Sequence, residues 1–273
     1  MNGIVRLYRL VNILSLDIVI GAVASALFFG KLLQVQILPY GVTALALTVW
    51  IIYTADHLRD SMVIGGKASS ARHQFHQKHF SVLFAIMCVA IAVDAVMIFF
   101  TKKPVLTSGF ILATVVAVYL LIQRYLKILK EIFIAGLYTC GIMLPSISVT
   151  TVKLNSFHVL LIIQFFLTAL MNLLIFSWFD QEKDKADGQH SFATILGRRS
   201  TALCVYCFTF INLAVTVFLL TNGFDYAQIA TVASMYLLLI AIFVYFDQYS
   251  NAYRILGDAV FFIPGLYLLW TLI

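Results

Sequence analysis

Charge is what this sequence has least of. Asp, Glu, Lys and Arg make up 11% of its 273 residues, against about a quarter in a soluble domain, so a water-facing surface of ordinary size cannot be covered. The few charges sit in short islands between long apolar runs. Also missing are stretches of about ten residues alternating apolar with polar, the mark of a barrel strand. That leaves the helix as the element able to satisfy its backbone in hydrocarbon. Cysteine is scarce too, and Cys88, Cys140, Cys204 and Cys207 all lie within apolar runs. The Cys204/Cys207 spacing matches a redox or zinc motif, yet no second pair and no polar flank goes with it. Four buried thiols behaving as small hydrophobes are expected. No linker or shift of composition divides the chain, which reads as one unit over residues 1–273. The first apolar segment lacks a small-residue cleavage site and is expected to be retained.

What fills the chain instead is apolar. Hydrophobic residues make up 62% of it, in runs of the roughly 20 residues that a spanning helix needs. Nine segments follow: Leu10–Leu33, Ile37–Ala55, Phe80–Phe100, Pro104–Leu121, Glu131–Val149, Ser156–Phe179, Thr201–Thr221, Tyr226–Phe246 and Ile255–Ile273. The expected fold class is all-α, a polytopic membrane bundle of nine helices. Two longer polar stretches interrupt it, Asp56–His79 and Asp180–Ser200.

With the N-terminus in the cytoplasm, Lys31, Lys102, Lys103 and Lys153 are the four outer cations. The other 14 of the 18 Lys and Arg, Arg6, Lys67 and Arg124 among them, fall inside. That bias meets the positive-inside rule and predicts a multi-pass membrane protein with its N-terminus inside; assuming a bacterial source, the inner membrane is the expected location. The net charge of +6 is then largely an inner-surface charge facing anionic lipid headgroups. Nucleic acid is not expected as a partner, since no soluble domain is there to form a groove.

Twelve acidic residues are few, and their placement is uneven. Asp56 and Asp60 stand in YTADHLRD just after the second segment. Asp180 and Asp184 stand in FDQEKDKADG just after the sixth, with Glu182 and Asp187 beside them. Both stretches contain D-x-x-x-D and both open a long inner loop. On a helix this spacing puts the two carboxylates on one face, about 5–6 Å apart at Cβ. Like charges so placed repel, and a helix C-terminus disfavours anions, so each pair is costly unless a cation sits there. Oxygen-only donors favour a hard ion. Mg²⁺ takes one or two carboxylates and leaves its other positions to water and phosphate. Two facing pairs suit two Mg²⁺ ions around a diphosphate. One D-x-x-x-D alone reads as a solvated helix end; it is the pairing that carries the argument.

Cations for the remaining phosphate charge lie on the same side. Arg59 falls in the first motif, Lys183 and Lys185 in the second, and Lys127 and Lys130 between the fourth and fifth segments. Each alone also serves as a positive-inside anchor, but clamps of this kind stabilise a departing phosphate. The run RHQFHQKH sets His73, His76 and His79 on one stripe. With no carboxylate in register, it reads as the polar face of a cytoplasmic helix rather than a metal site. Arg72 and His73 within it are expected to reach the phosphates. Asp17, Asp94 and Asp258 fall inside apolar segments, with Asn12, Gln164 and Asn172 as polar company. Such groups line a cavity or pair between helices.

Nine segments with aspartate motifs after the second and sixth resemble the UbiA superfamily of intramembrane prenyltransferases. The second motif is the better match: DQEKDKADGQHSFATILG keeps Asp180, Asp184, Gly188 and Gly197. The resemblance implies that Mg²⁺, held by both motifs, binds an isoprenyl diphosphate, and that the prenyl group passes to an aromatic or other lipophilic acceptor. It makes Asp56, Asp60, Asp180 and Asp184 the metal and catalytic carboxylates, and Lys127 or Lys130 a phosphate-contacting lysine. Arg59, Arg72 and Lys183 complete the expected diphosphate site. The first motif departs from the family, which has asparagine four residues before the first aspartate. Here that position is Ile52, with Tyr53 the nearest polar group.

The alternative is a non-catalytic membrane protein of the same fold that binds a lipid or regulates a partner. A transporter would show paired acids in broken helices and repeated halves. A CDP-alcohol phosphotransferase would need D-G-x-x-A-R before its aspartates. Neither pattern is present.

Overall fold

Long apolar runs have no water to satisfy their backbone, so they close their hydrogen bonds within helices. The computed structural model describes residues 3–64, 66, 68, 70–246 and 252–271, apart from the side chains of residues 3–6 and 124, and among these all regular structure is helical. Lys67 and the side chains of Arg6 and Arg124, counted above toward the inner charge, lie outside the described residues, as does the end of the ninth segment at 272–273. Among the described residues eight helices are each long and apolar enough to cross a membrane, and a bent pair at the N-terminus brings the crossings to nine at most.

That bent pair corrects the first expected span. Leu10–Leu33 is not one helix: α1 (Gly3–Ile13) turns through 75° into α2 (Leu16–Leu32), with Ser15 at φ 56 in the corner. The polar residues at the corner account for the bend. Asn12 donates to Asp17 at 2.5 Å and to Asp258 at 3.0 Å, contacts that a straight apolar helix could not offer.

The second expected span is longer than its apolar run. Pro39 opens α3 (Pro39–Val63) at a first-turn position where its missing N–H costs nothing. The helix then runs on through Asp56 and Asp60, so both acids lie in helix and not in a loop. The same holds for α8 (Ser156–Ala186), which starts with a reciprocal Asn155/His158 cap and carries Asp180 and Asp184 in its last turns. Between α3 and α5 (Phe80–Phe99) lies the short α4 (Ala71–Lys78), the expected helix of the histidine stripe. The chain continues through α6 (Lys103–Leu126), α7 (Leu129–Ile147), α9 (Phe192–Thr221) and α10 (Tyr226–Tyr245). It ends with α11 (Ala252–Ala259), a 3-10 turn at Val260–Phe262, and α12 (Ile263–Trp270).

The main core sits around α8, packed by α2, α7, α9 and α10. Aromatic edges meet faces there, Phe28 on Phe29 at 5.2 Å and Phe29 on Phe165 at 5.1 Å, a geometry favoured by the ring quadrupoles. Polar glue joins α8 to α9: Gln164 Nε2 donates to the Asn212 carbonyl at 2.9 Å and to Thr216 Oγ1 at 2.8 Å. Outward faces are also apolar, with Phe99, Phe110, Leu121 and Phe210 all exposed. The cysteines follow this pattern and correct an expectation. Cys88, Cys140 and Cys207 lie exposed on the outer surface and Cys204 is half-buried, all four free. In a membrane bundle an apolar run does not mean an interior position, because lipid is as apolar as the core.

The two motif glycines have conformational reasons. Gly188 (φ 66) stops α8, and the Gln189 N–H just beyond it returns to the Asp184 carbonyl at 2.8 Å. Gly197 breaks α9 at φ 83, ψ 160, a region essentially confined to glycine.

Candidate functional site

The bundle holds a cavity of about 930 Å³, lined by α3, α5, α6, α7, α8 and α11 together with α1, α2 and α4. Its walls are mostly Ile, Leu, Val, Ala and aromatic side chains. At one end stand Asp56, Asp60, Arg72, Lys130, Asp180, Lys183, Asp184, Arg254 and Asp258. The structure thus brings together on one cavity all four motif aspartates and three of the five expected cations. Arg59 and Lys127 are not in the cavity wall. Lys127 ends α6 at φ 48 with its side chain exposed. Lys185 pairs with Glu182 at 3.5 Å on the exposed surface, a contact of little energetic weight.

The motif carboxylates do not share one environment. Asp56 Oδ1 accepts from Gln123 Nε2 at 2.8 Å, and Gln123 Oε1 accepts from the Tyr119 hydroxyl at 3.0 Å. Lys130 sits in the combined field of Asp56, Asp60, Glu131 and Asp184, the cation between two acidic helix ends. Asp180 is different. Its Oδ1 takes hydrogen bonds from Lys183 Nζ at 2.8 Å and the Tyr253 hydroxyl at 2.5 Å. Its Oδ2 takes Arg254 Nε at 2.8 Å and lies 2.7 Å from Nη2. Both oxygens of this buried carboxylate are engaged within the protein, so the four carboxylates that the resemblance implies as metal ligands form an uneven set.

Arg72 is also engaged. Its Nη2 donates to Asn12 O at 3.0 Å and Oδ1 at 3.1 Å and lies 3.8 Å from Asp258. The deep acids Asp17 and Asp258 therefore belong to an interhelical network, and Asp258 also lines the cavity. Of the histidine stripe, His73 lines the cavity, while His76 Nδ1 lies 2.9 Å from the Arg72 carbonyl. Burial pushes His73 down to about 4, with Arg254 and Arg72 adding to it. It is neutral at pH 7, and its 4.0 Å approach to Asp187 is then not an ion pair.

Glu131 opens α7, and its Oε1 accepts the Phe192 N–H at 2.6 Å at the start of α9. Gln181 Nε2 donates to the Ala193 carbonyl and Ser177 Oγ accepts the Ala193 N–H. These bonds tie the start of α9 back to α7 and α8, and Gln189, His190 and Ser191 just before it line the cavity.

No protein-family model matches the chain, and no curated protein matches it by sequence. Solved structures match it in fold. An apo structure of a UbiA homolog from Aeropyrum pernix K1 superposes with a TM-score of 0.69 at 13% identity, over 93% of this chain and 98% of that one. A UbiA homolog from Archaeoglobus fulgidus bound to DMAPP and Mg²⁺ gives 0.67 at 12% identity, over 96% and 97%. This chain has the UbiA fold.

Within the UbiA fold, Ile52 lines the cavity one residue from Tyr53, which lines it too, so the position where the family has asparagine presents an apolar wall. Nothing in the sequence marks Gln123, Glu131, Tyr253 and Arg254 as site residues. Arg254 is one of the 14 inner cations, and Gln123 is a lone amide at the end of an apolar run. Neither has a spacing that marks it. Their partners lie on other helices.

Proposed function

We propose that this protein transfers an isoprenyl group from a prenyl diphosphate to a lipophilic acceptor within the membrane, using Mg²⁺ at the charged end of the cavity. The observation that carries this reading is the convergence of both D-x-x-x-D motifs, from α3 and α8, on the mouth of one apolar cavity. A homolog with the same fold is bound to DMAPP and Mg²⁺. The donor chemistry fits the ion. Among the described residues no three His, Cys, Asp or Glu converge as a ready metal cluster. That accords with an ion that takes one or two carboxylates and fills its shell with water and phosphate oxygens.

In this reading Asp56, Asp60 and Asp184 supply carboxylates to Mg²⁺, one or two to each ion around the diphosphate, and Asp180 positions Arg254 and Lys183 toward the diphosphate. Bound there, Mg²⁺ would neutralise the diphosphate and ease its departure. Gln123 fixes the Asp56 carboxylate, and Lys130 and Arg254 add charge that needs no reorganisation as the phosphate leaves. The aromatic faces of Tyr53, Tyr138, Phe176 and Phe261 line the cavity beyond. They suit an allylic cation by cation–π attraction, while the aliphatic walls keep water away. On the lipid side, α5 packs on α3 and α6 on α7, whereas α5 and α6 share at most a marginal contact among the described residues. A lipophilic acceptor would enter there from the bilayer. The positive-inside bias puts the charged mouth at the cytoplasmic face.

The test is binding of prenyl diphosphates of several chain lengths to the detergent-purified protein, with and without Mg²⁺, repeated on Asp56→Asn/Asp184→Asn. Mg²⁺-dependent binding that the variant loses supports the reading. Absence of binding to folded wild type at every chain length sinks it and favours the non-catalytic descendant.

A further inference from the structure

Asp94 has no part in the mechanism above. It lies on α5, well inside an apolar span, and only 7% of it is exposed. Its Oδ2 accepts the Thr48 hydroxyl at 2.8 Å, and its Oδ1 has no hydrogen-bond partner. Both residues line the cavity. Thr48 precedes Asp56 by two turns of α3, which puts the pair about 12 Å deeper than the charged mouth. Beyond this pair, the cavity lining that α3, α5 and α6 contribute is mainly aliphatic, Leu45, Ile91, Ile98, Val105 and Val116 among it. Among the described residues none donates to Oδ1, yet a carboxyl oxygen stranded in hydrocarbon costs free energy until something donates to it. An acid at this depth marks a ligand path more often than an accident.

We infer that Asp94 and Thr48 form a recognition site for a hydrogen-bond donor, a hydroxyl or amine, on the otherwise apolar molecule that occupies the inner cavity. Asp94 Oδ1 accepts the ligand's O–H or N–H, and Thr48 holds the carboxyl in orientation through Oδ2. The weakly closed side between α5 and α6 adjoins the site, since Ile91 and Ile98 belong to α5 and Val105 and Val116 to α6. A membrane-borne molecule entering there meets Asp94 before it meets the diphosphate end. The inference deepens the transferase reading, which supplies the ligand's role as acceptor. The binding event itself needs neither Mg²⁺ nor a diphosphate.

The experiment uses two probes of nearly equal shape, 4-nonylphenol and its methyl ether, titrated into the full-length protein in lipid nanodiscs. The phenol offers a donor and the ether does not. Wild type is expected to bind the phenol about tenfold more tightly, the value of one buried hydrogen bond to a charged or strongly polar acceptor. Asp94→Leu should bring the two probes to equal affinity, and Thr48→Val should keep a preference for the phenol. Asp56→Asn, at the mouth, should leave the preference intact. Equal affinity in wild type overturns the inference without recourse to any variant, and so does a tenfold preference that survives in Asp94→Leu. Failure here alongside Mg²⁺-dependent diphosphate binding removes the acceptor site and leaves the transferase reading standing.

Discussion

Arg254 grips Asp180 with two nitrogens, Nε at 2.8 Å and Nη2 at 2.7 Å from the same oxygen. The pair joins α8 to α11 across 74 residues of sequence, and Lys183 and Tyr253 close on the other oxygen. A carboxylate satisfied in this way is a poor choice for a metal and a good one for aiming a guanidinium.

Asp180 and Asp184 should therefore separate on mutation. Asp180→Asn is expected to leave Mn²⁺ affinity within about twofold while weakening prenyl diphosphate binding about tenfold, one charge-assisted hydrogen bond's worth. Asp184→Asn should weaken both. Mn²⁺ titration followed by electron paramagnetic resonance reads the metal directly. Equal metal loss in the two variants would return Asp180 to the ligand set.

Gln123 links the Tyr119 hydroxyl to Asp56. Gln123→Leu keeps the volume but leaves a buried hydroxyl and a carboxylate oxygen unpaired, at about 1–3 kcal/mol. A lower unfolding temperature together with weaker Mg²⁺-dependent diphosphate binding is expected. Unchanged diphosphate affinity would show that Asp56 needs no orienting partner.

Gly257 sits where α11 crosses α8, three residues from Arg254. A Cβ there would lie 2.6 Å from Asn172 Oδ1 and 2.7 Å from the Phe176 ring. Gly257→Ala should force the helices apart, costing about 1–3 kcal/mol and loosening the Arg254–Asp180 contact. Gly109→Ala is the contrast: its methyl meets open space in α6, and replacing a helical glycine there should be neutral or stabilise by about 0.4–1 kcal/mol. Thermal unfolding of the two variants in detergent compares them.

His73, in α4 outside the spanning helices, is pushed from 6.5 to about 4, by burial first and then by Arg254 and Arg72. The fold keeps it neutral while the unfolded chain takes a proton near 6.5. Its contribution to stability is intact above 6.5 and lost progressively as pH falls toward 4. At pH 5 the loss is about 2 kcal/mol. The drop in unfolding temperature from pH 7 to pH 5 should be smaller in His73→Gln than in wild type. Equal drops would assign the acid sensitivity elsewhere.

The helical class and most of the span positions could be read from the sequence because hydrocarbon permits few alternatives to a helix, and long apolar runs announce it. The D-x-x-x-D pairs were legible for a similar reason. Spacing along a helix is local, and Asp56/Asp60 and Asp180/Asp184 each fall on one face whatever surrounds them. Gly188 and Gly197 were visible only through the family resemblance; that both stand at positive φ is what the structure adds.

Other features depend on where helices cross. The bend after Ile13 follows from Asn12 reaching Asp258, far along the chain. Cys88, Cys140 and Cys207 face outward because the helix rotation sets their side, and an apolar run looks the same toward lipid or core. Asp180 differs from Asp184 only because Arg254 and Tyr253 arrive from α11. Asp94 has an open oxygen only because α3 supplies Thr48 to one side and cavity to the other. The sequence by itself determined which long runs form helices, which residues are apolar and which acids are spaced as pairs. Tertiary packing alone decided which of those acids is already satisfied, because desolvation and hydrogen bonding are set by neighbours that sequence spacing does not specify.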